Sequence, residues 1–134
     1  MGYSLDIRQE DEYLHVIVEG DNTLTNVLSY FEEVYGACIL YRCSNVLIEQ
    51  HFTGPSLDTF DIFVVITKNY NKALTLGIRL AFADMNINHD THRLKFAENL
   101  ANIRGVNVRV FYERNIQEMI DWLCKKKNGG AVIF

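Results

Sequence analysis

Two periodicities take turns along this chain, and their order constrains the fold more than any single residue. Tyr3 to Arg8 alternates apolar and polar residues, and Tyr13 to Val18 is rich in β-branched ones. Both read as half-buried strands, joined across the polar turn Gln9 to Glu12 as a hairpin. From Leu24 to about Tyr41, apolar residues such as Val27, Phe31, Val34 and Cys38 recur at three- and four-residue steps. That spacing lines one face of a long helix. Val46-Leu47-Ile48 is apolar without alternation, as in a strand covered on both faces. Thr53-Gly54-Pro55-Ser56 breaks the chain. Pro55 suits a first helical turn, Ser56 is the expected N-cap, and Leu57, Phe60, Val64 and Thr67 line the helix that follows. Asn69 to Gly77 is polar and reads as partly irregular. Ile78 to Ala83 is a further strand ending at Asp84, and Asn86 to Asp90 a polar loop with Asn88 or Asp90 as the next cap. Leu94, Ala97, Leu100 and Ala101 mark a helix closed by Gly105. Val106 to Phe111 is the last strand, and Asn115 caps a helix carrying Ile116, Met119, Ile120 and Leu123.

The order is β-β-α-β-α-β-α-β-α. Strands alternating with helices imply right-handed crossovers and a mostly parallel five-stranded sheet, here with an N-terminal antiparallel hairpin and about four helices. The 134 residues suffice for one core. Residues 1–124 are expected to form the domain and 125–134 a loose tail. No apolar run approaches the ~20 residues of a membrane span, and the first residues lack the pattern of a secretory signal.

Up to Asp61 the chain carries eleven acids and two bases; from Ile62 onward, six acids and eleven bases. The only tight basic cluster is Lys125-Lys126-Lys127, so nucleic-acid binding is not expected. Cys38, Cys43 and Cys124 form no CxxC and have no neighbouring histidine to complete a zinc set. They read as reduced thiols of a cytoplasmic protein.

The hairpin, long helix, buried strand and hydroxyl-bearing turn resemble the STAS domain of anti-sigma-factor antagonists. The closer likeness is to the SpoIIAA-like branch, labelled STAS/SEC14-like, of small bacterial proteins. It is carried by Tyr13-Leu14-His15-Val16-Ile17-Val18-Glu19-Gly20, Val46-Leu47-Ile48-Glu49, Ala81-Phe82-Ala83-Asp84 and Val108-Arg109-Val110-Phe111. The resemblance implies the SpoIIAA-like α/β fold and a non-enzymatic regulatory or protein-interaction module. In those antagonists the turn after the buried strand reads Asp-Ser-Ser/Thr-Gly, and a partner kinase phosphorylates its serine. Here it reads His51-Phe52-Thr53-Gly54-Pro55-Ser56-Leu57-Asp58-Thr59. Thr53, Gly54, Ser56 and Thr59 thus form the candidate recognition turn, with Ser56 or Thr59 in the phosphosite position.

The same resemblance keeps a small apolar or lipid ligand as the alternative, in a pocket near Glu49, Phe52, Phe60, Phe82 and Asp84. Such a ligand calls for roughly 300 Å³ or more. Glu49 and Asp84 end neighbouring strands, where a shared crevice would allow acid–base work. His89 and His92, beside Asp90, have a spacing that a divalent metal can use. Caps and core contacts are the simpler roles for these groups, and no catalytic residue, metal or cofactor is expected. A protein partner and a homodimer are.

Overall fold

The computed structural model describes the backbone of residues 2–132 and the side chains of residues 2–124. The elements follow the expected order: β1 (Tyr3–Gln9), β2 (Leu14–Asp21), α1 (Leu24–Tyr41), β3 (Asn45–Thr53), α2 (Thr59–Leu76), β4 (Arg79–Asp84), α3 (Thr91–Ile103), β5 (Asn107–Phe111) and α4 (Ile116–Val132). The five strands lie in chain order, β1-β2-β3-β4-β5. β1 runs antiparallel to β2, and every other pairing is parallel.

Strands laid down in chain order explain the layers. Three successive crossovers of the same hand, each stepping in the same direction, put α1, α2 and α3 on one face. The larger core forms there, around Leu14, Val16, Tyr30, Val46, Ile48 and Phe52. α4, after the last strand, covers the other face, where Leu47, Ala81, Ala83, Phe111, Met119 and Leu123 are buried. Arg79 pins it there. Its guanidinium stacks on Trp122 at 3.9 Å and donates to the Trp122 carbonyl at 2.7 and 3.1 Å. α4 continues to Val132, past the expected start of the tail at residue 125. Side chains from there on, and residues 133 and 134, lie outside the described residues.

Two local readings need correction. α2 starts at Thr59 with Asp58 as N-cap, not at Pro55 with Ser56. The Asp58 carboxylate accepts the Asp61 N–H at 2.8 Å, which satisfies a free donor of the first turn. The polar stretch after Asn69 also remains helical to Leu76, because most of its polar residues face solvent and Gly77 closes the helix in a left-handed conformation. α3 shields the edge strand β5. Asn102 accepts the Val108 N–H at 3.3 Å and Glu98 the Val110 N–H at 2.7 Å.

Candidate functional site

In an open parallel sheet, the carboxyl ends of the strands converge on one rim. Here β3 and β4 end beside each other, with Gln50 opposite Asp84 and Glu49 opposite Ala83. Side chains alternate between faces along a strand. Glu49 therefore shares the α4 face with Leu47, while Asp84 shares the α1–α3 face with Leu80 and Phe82. The crevice expected between Glu49 and Asp84 does not exist, because the sheet separates them. Each carboxylate builds a different cluster.

Asp84 holds the first cluster. Its side chain is 4% exposed and that of His89 3%. Asp84 Oδ2 lies 2.6 Å from His89 Nδ1, and His89 Nε2 lies 2.9 Å from the Gly54 carbonyl. The ring thus bridges the Asp84 carboxylate and the Gly54 carbonyl, with Asn22 Nδ2 also 3.5 Å from Nε2. Gly54 has φ +96°, a conformation that favours glycine.

More bonds tie the β3–α2 loop to the β4–α3 loop. Asp90 N–H donates to Ser56 Oγ at 2.8 Å, Asn86 Nδ2 to the Phe52 carbonyl at 2.9 Å, and Arg93 to the Leu57 carbonyl at 3.2 Å. Asn22 Nδ2 reaches the Pro55 carbonyl at 2.8 Å. The buried Tyr30 hydroxyl donates to Gln50 at 2.5 Å beneath. These bonds join the two loops into one rim.

On this rim Thr53 is exposed and ends β3, with its hydroxyl 3.4 Å from both the Gly20 carbonyl and Asp21. Ser56 is half-buried, and its oxygen is taken by the Asp90 N–H. Thr59 is exposed as the first residue of α2. Phe60 is 70% exposed and Ile87, across on the β4–α3 loop, 97%.

The second cluster lies on the α4 face. Glu49 is 2% exposed. His15 Nε2 meets its Oε2 at 2.5 Å, while Arg114 donates to Oε1 at 3.0 Å and His51 approaches Oε1 at 3.5 Å. Burial alone would raise the Glu49 carboxyl; the hydrogen bonds and positive charge of His15 and Arg114 outweigh it and hold the carboxyl below its ordinary value of 4.5.

The expected ligand residues are dispersed. Phe52 is sealed in the core at 1% exposure and Phe60 faces solvent. Phe82 and Asp84 do line a cavity, of about 170 Å³, between the sheet and α1, α2 and α3. Its wall is apolar, with Phe31, Tyr35, Val65, Tyr70 and Leu94 among its residues, and it reaches Ser56 and His89 on the rim. The volume falls short of the roughly 300 Å³ expected for a drug-sized or lipid ligand. The His89 and His92 pair is also split, since the His92 side chain is 98% exposed while His89 points inward. Among the described residues, no three His, Cys, Asp or Glu side chains are grouped to hold a metal, and no helix is long and apolar enough to cross a membrane.

The roles of His15, Asn22 and Arg114 went unforeseen in the sequence. For His15 a signal was present: it alternates with Leu14 and Val16, so it had to leave the main core. Asn22 and Arg114 carry no comparable sign, because their partners are distant in sequence.

No protein-family model matches the chain, and no curated protein matches it. Solved structures do. A glutamate-for-serine variant of RsbS from Moorella thermoacetica superposes with a TM-score of 0.59 at 17% identity, over 92% of this chain and 97% of that one. The anti-sigma factor antagonist SpoIIAA in its unphosphorylated form gives 0.52 at 10% identity, over 90% and 97%. An uncharacterised protein from Shewanella loihica with a SpoIIAA-like fold gives 0.51 at 19%, over 92% and 94%. With the antiparallel hairpin, the three parallel pairings and the four helices, these likenesses establish that the chain has the SpoIIAA-like, or STAS, α/β fold.

Proposed function

We propose that this chain is a non-enzymatic regulatory module that works by binding a protein partner at the rim formed by residues 53–60 and 85–90. One observation carries this reading: beside two loops joined by a buried Asp84–His89–Gly54 chain, Phe60 on the first turn of α2 and Ile87 on the β4–α3 loop are exposed to solvent. A preorganised surface loses little entropy on docking, and exposed large apolar side chains are the usual anchors of an interface. The likeness to an anti-sigma factor antagonist, a protein named for its action on another protein, supports the same reading.

The test is affinity capture from the source cell with the wild type and with Phe60→Glu and Ile87→Asp. The variants are expected to lose at least about tenfold in recovery of a specific partner, about 1.4 kcal/mol, with melting temperatures within about 2 °C of wild type. Undiminished recovery would sink the proposal. Thr59 is the hydroxyl through which phosphorylation would act on this surface. A phosphate there adds about two negative charges beside Asp58 and Asp61. Thr59→Glu is expected to weaken capture as Phe60→Glu does.

The cavity supports a second reading, in which a small apolar molecule binds under the rim. At about 170 Å³ it is close to cavities of roughly 150 Å³ that take up benzene. Benzene at saturation is expected to raise the melting temperature by several degrees, and filling the space with Ala73→Leu to abolish the rise. No rise in the wild type would overturn this reading.

A further inference from the structure

We infer that Cys38 and Cys43 form a dithiol site at the carboxyl end of α1, which a small-molecule disulfide converts to an intramolecular cross-link. The helix cap brings them together. Arg42 adopts φ +54°, and its N–H bonds back to the last turn of α1. The next N–H, that of Cys43, donates to the Cys38 carbonyl at 3.1 Å. This is the six-to-one bond of a Schellman cap, a motif in which the side chains of those two positions meet across the helix end. Such a backbone approach suits a disulfide, whose Cα atoms stand roughly 4.4–6.8 Å apart.

Two further observations agree. Both cysteines line the same pocket of about 200 Å³, together with Arg42, Ser44 and Leu76. The two thiols also interact electrostatically. Burial first, and then the charge of Cys43, push the Cys38 thiol up to about 11. Cys38 is buried and Cys43 half-buried, so an oxidant meets Cys43 first.

The chemistry is two thiol–disulfide exchanges. The Cys43 thiolate attacks one sulfur of oxidised glutathione. A mixed disulfide forms, the glutathione S–S bond breaks, and one glutathione thiolate leaves and takes a proton. The Cys38 thiolate then attacks Cys43 Sγ, forming the Cys38–Cys43 bond and releasing the second glutathione. Two electrons pass from the cysteines to glutathione, and two protons go with the released thiols. The second step needs the Cys38 thiolate, which burial disfavours.

The test is incubation of the full chain with oxidised glutathione, followed by alkylation and non-reducing tryptic mapping. Trypsin cuts after Arg42, between the two cysteines. A cross-link therefore keeps the peptide ending at Arg42 joined to the one beginning at Cys43, with an intact mass two units lower. Free thiols are expected to fall from three to one, and Cys124→Ser should leave the result unchanged. Cys43→Ser, at a half-buried position that tolerates the change better than Cys38, should abolish the joined pair. A product that stops at glutathionylated Cys43, or that links two chains through Cys124, would overturn the inference.

Discussion

His89→Ala is expected to destabilise the protein by about 2–3 kcal/mol and to release the rim. The substitution takes away the partner of Asp84 Oδ2, on a carboxylate whose side chain is 4% exposed. Leaving a buried acceptor without its hydrogen-bond partner costs about that much, because the oxygen stays behind desolvated, while the Asn86 N–H still bonds the other carboxylate oxygen at 3.0 Å. For a domain of this size, each kcal/mol lowers the melting temperature by about 3–5 °C. The Gly54 carbonyl also loses its partner, so hydrogen exchange should quicken at residues 53–58 and 85–90 more than in the strands. A double variant, Asp84→Asn with His89→Ala, removes the stranded charge and should recover part of the loss. Equal destabilisation of the single and double variants in urea titrations would show that the pair does not act as a unit. Capture of a partner should weaken in both, since both lose the bond that fixes Gly54.

The Glu49 cluster should make stability fall with acid. The carboxyl sits below its ordinary value of 4.5 in the folded chain, against its ordinary value in the unfolded one. A group lowered by folding contributes fully above its unfolded value, and the contribution disappears as pH falls through the folded value. The loss therefore lies below about pH 4.5, with little change from there to neutrality. Glu49→Gln keeps the volume but removes the charge that His15 and Arg114 share. It is expected to cost about 2 kcal/mol at pH 7, a hydrogen-bonded charge discounted for the half-exposed Arg114. Melting curves from pH 3 to pH 7 check both points: the variant should show a shallower decline below pH 4.5 than the wild type. Parallel curves would mean that Glu49 is not the group responsible.

These two clusters show where sequence reading stops. α1 was legible end to end, because an apolar face repeated every three to four residues has one stable placement against a sheet. The faces of β3 and β4 were not: a shared crevice was expected, but Glu49 lies on the face of Leu47 and Asp84 on that of Phe82. The register between strands was not legible either. It sets Gln50, rather than Glu49, against Asp84, and a shift of one residue reverses which groups meet. The start of α2 was misplaced for a local reason: Ser56 and Asp58 both carry cap-forming side chains, and only the contact of Ser56 with Asp90 shows that its oxygen is used elsewhere.

The sequence by itself determined the order of elements, the single α/β layer plan and the position of the hydroxyl-bearing turn, since these follow from short-range periodicity and turn chemistry. Only the tertiary structure decided that His89 locks that turn, that Glu49 works on the opposite face with His15 and Arg114, and that Phe60 points to solvent. Those pairings join residues 34, 35 and 65 positions apart. They are set by strand register and by the packing of loops, which no local pattern encodes.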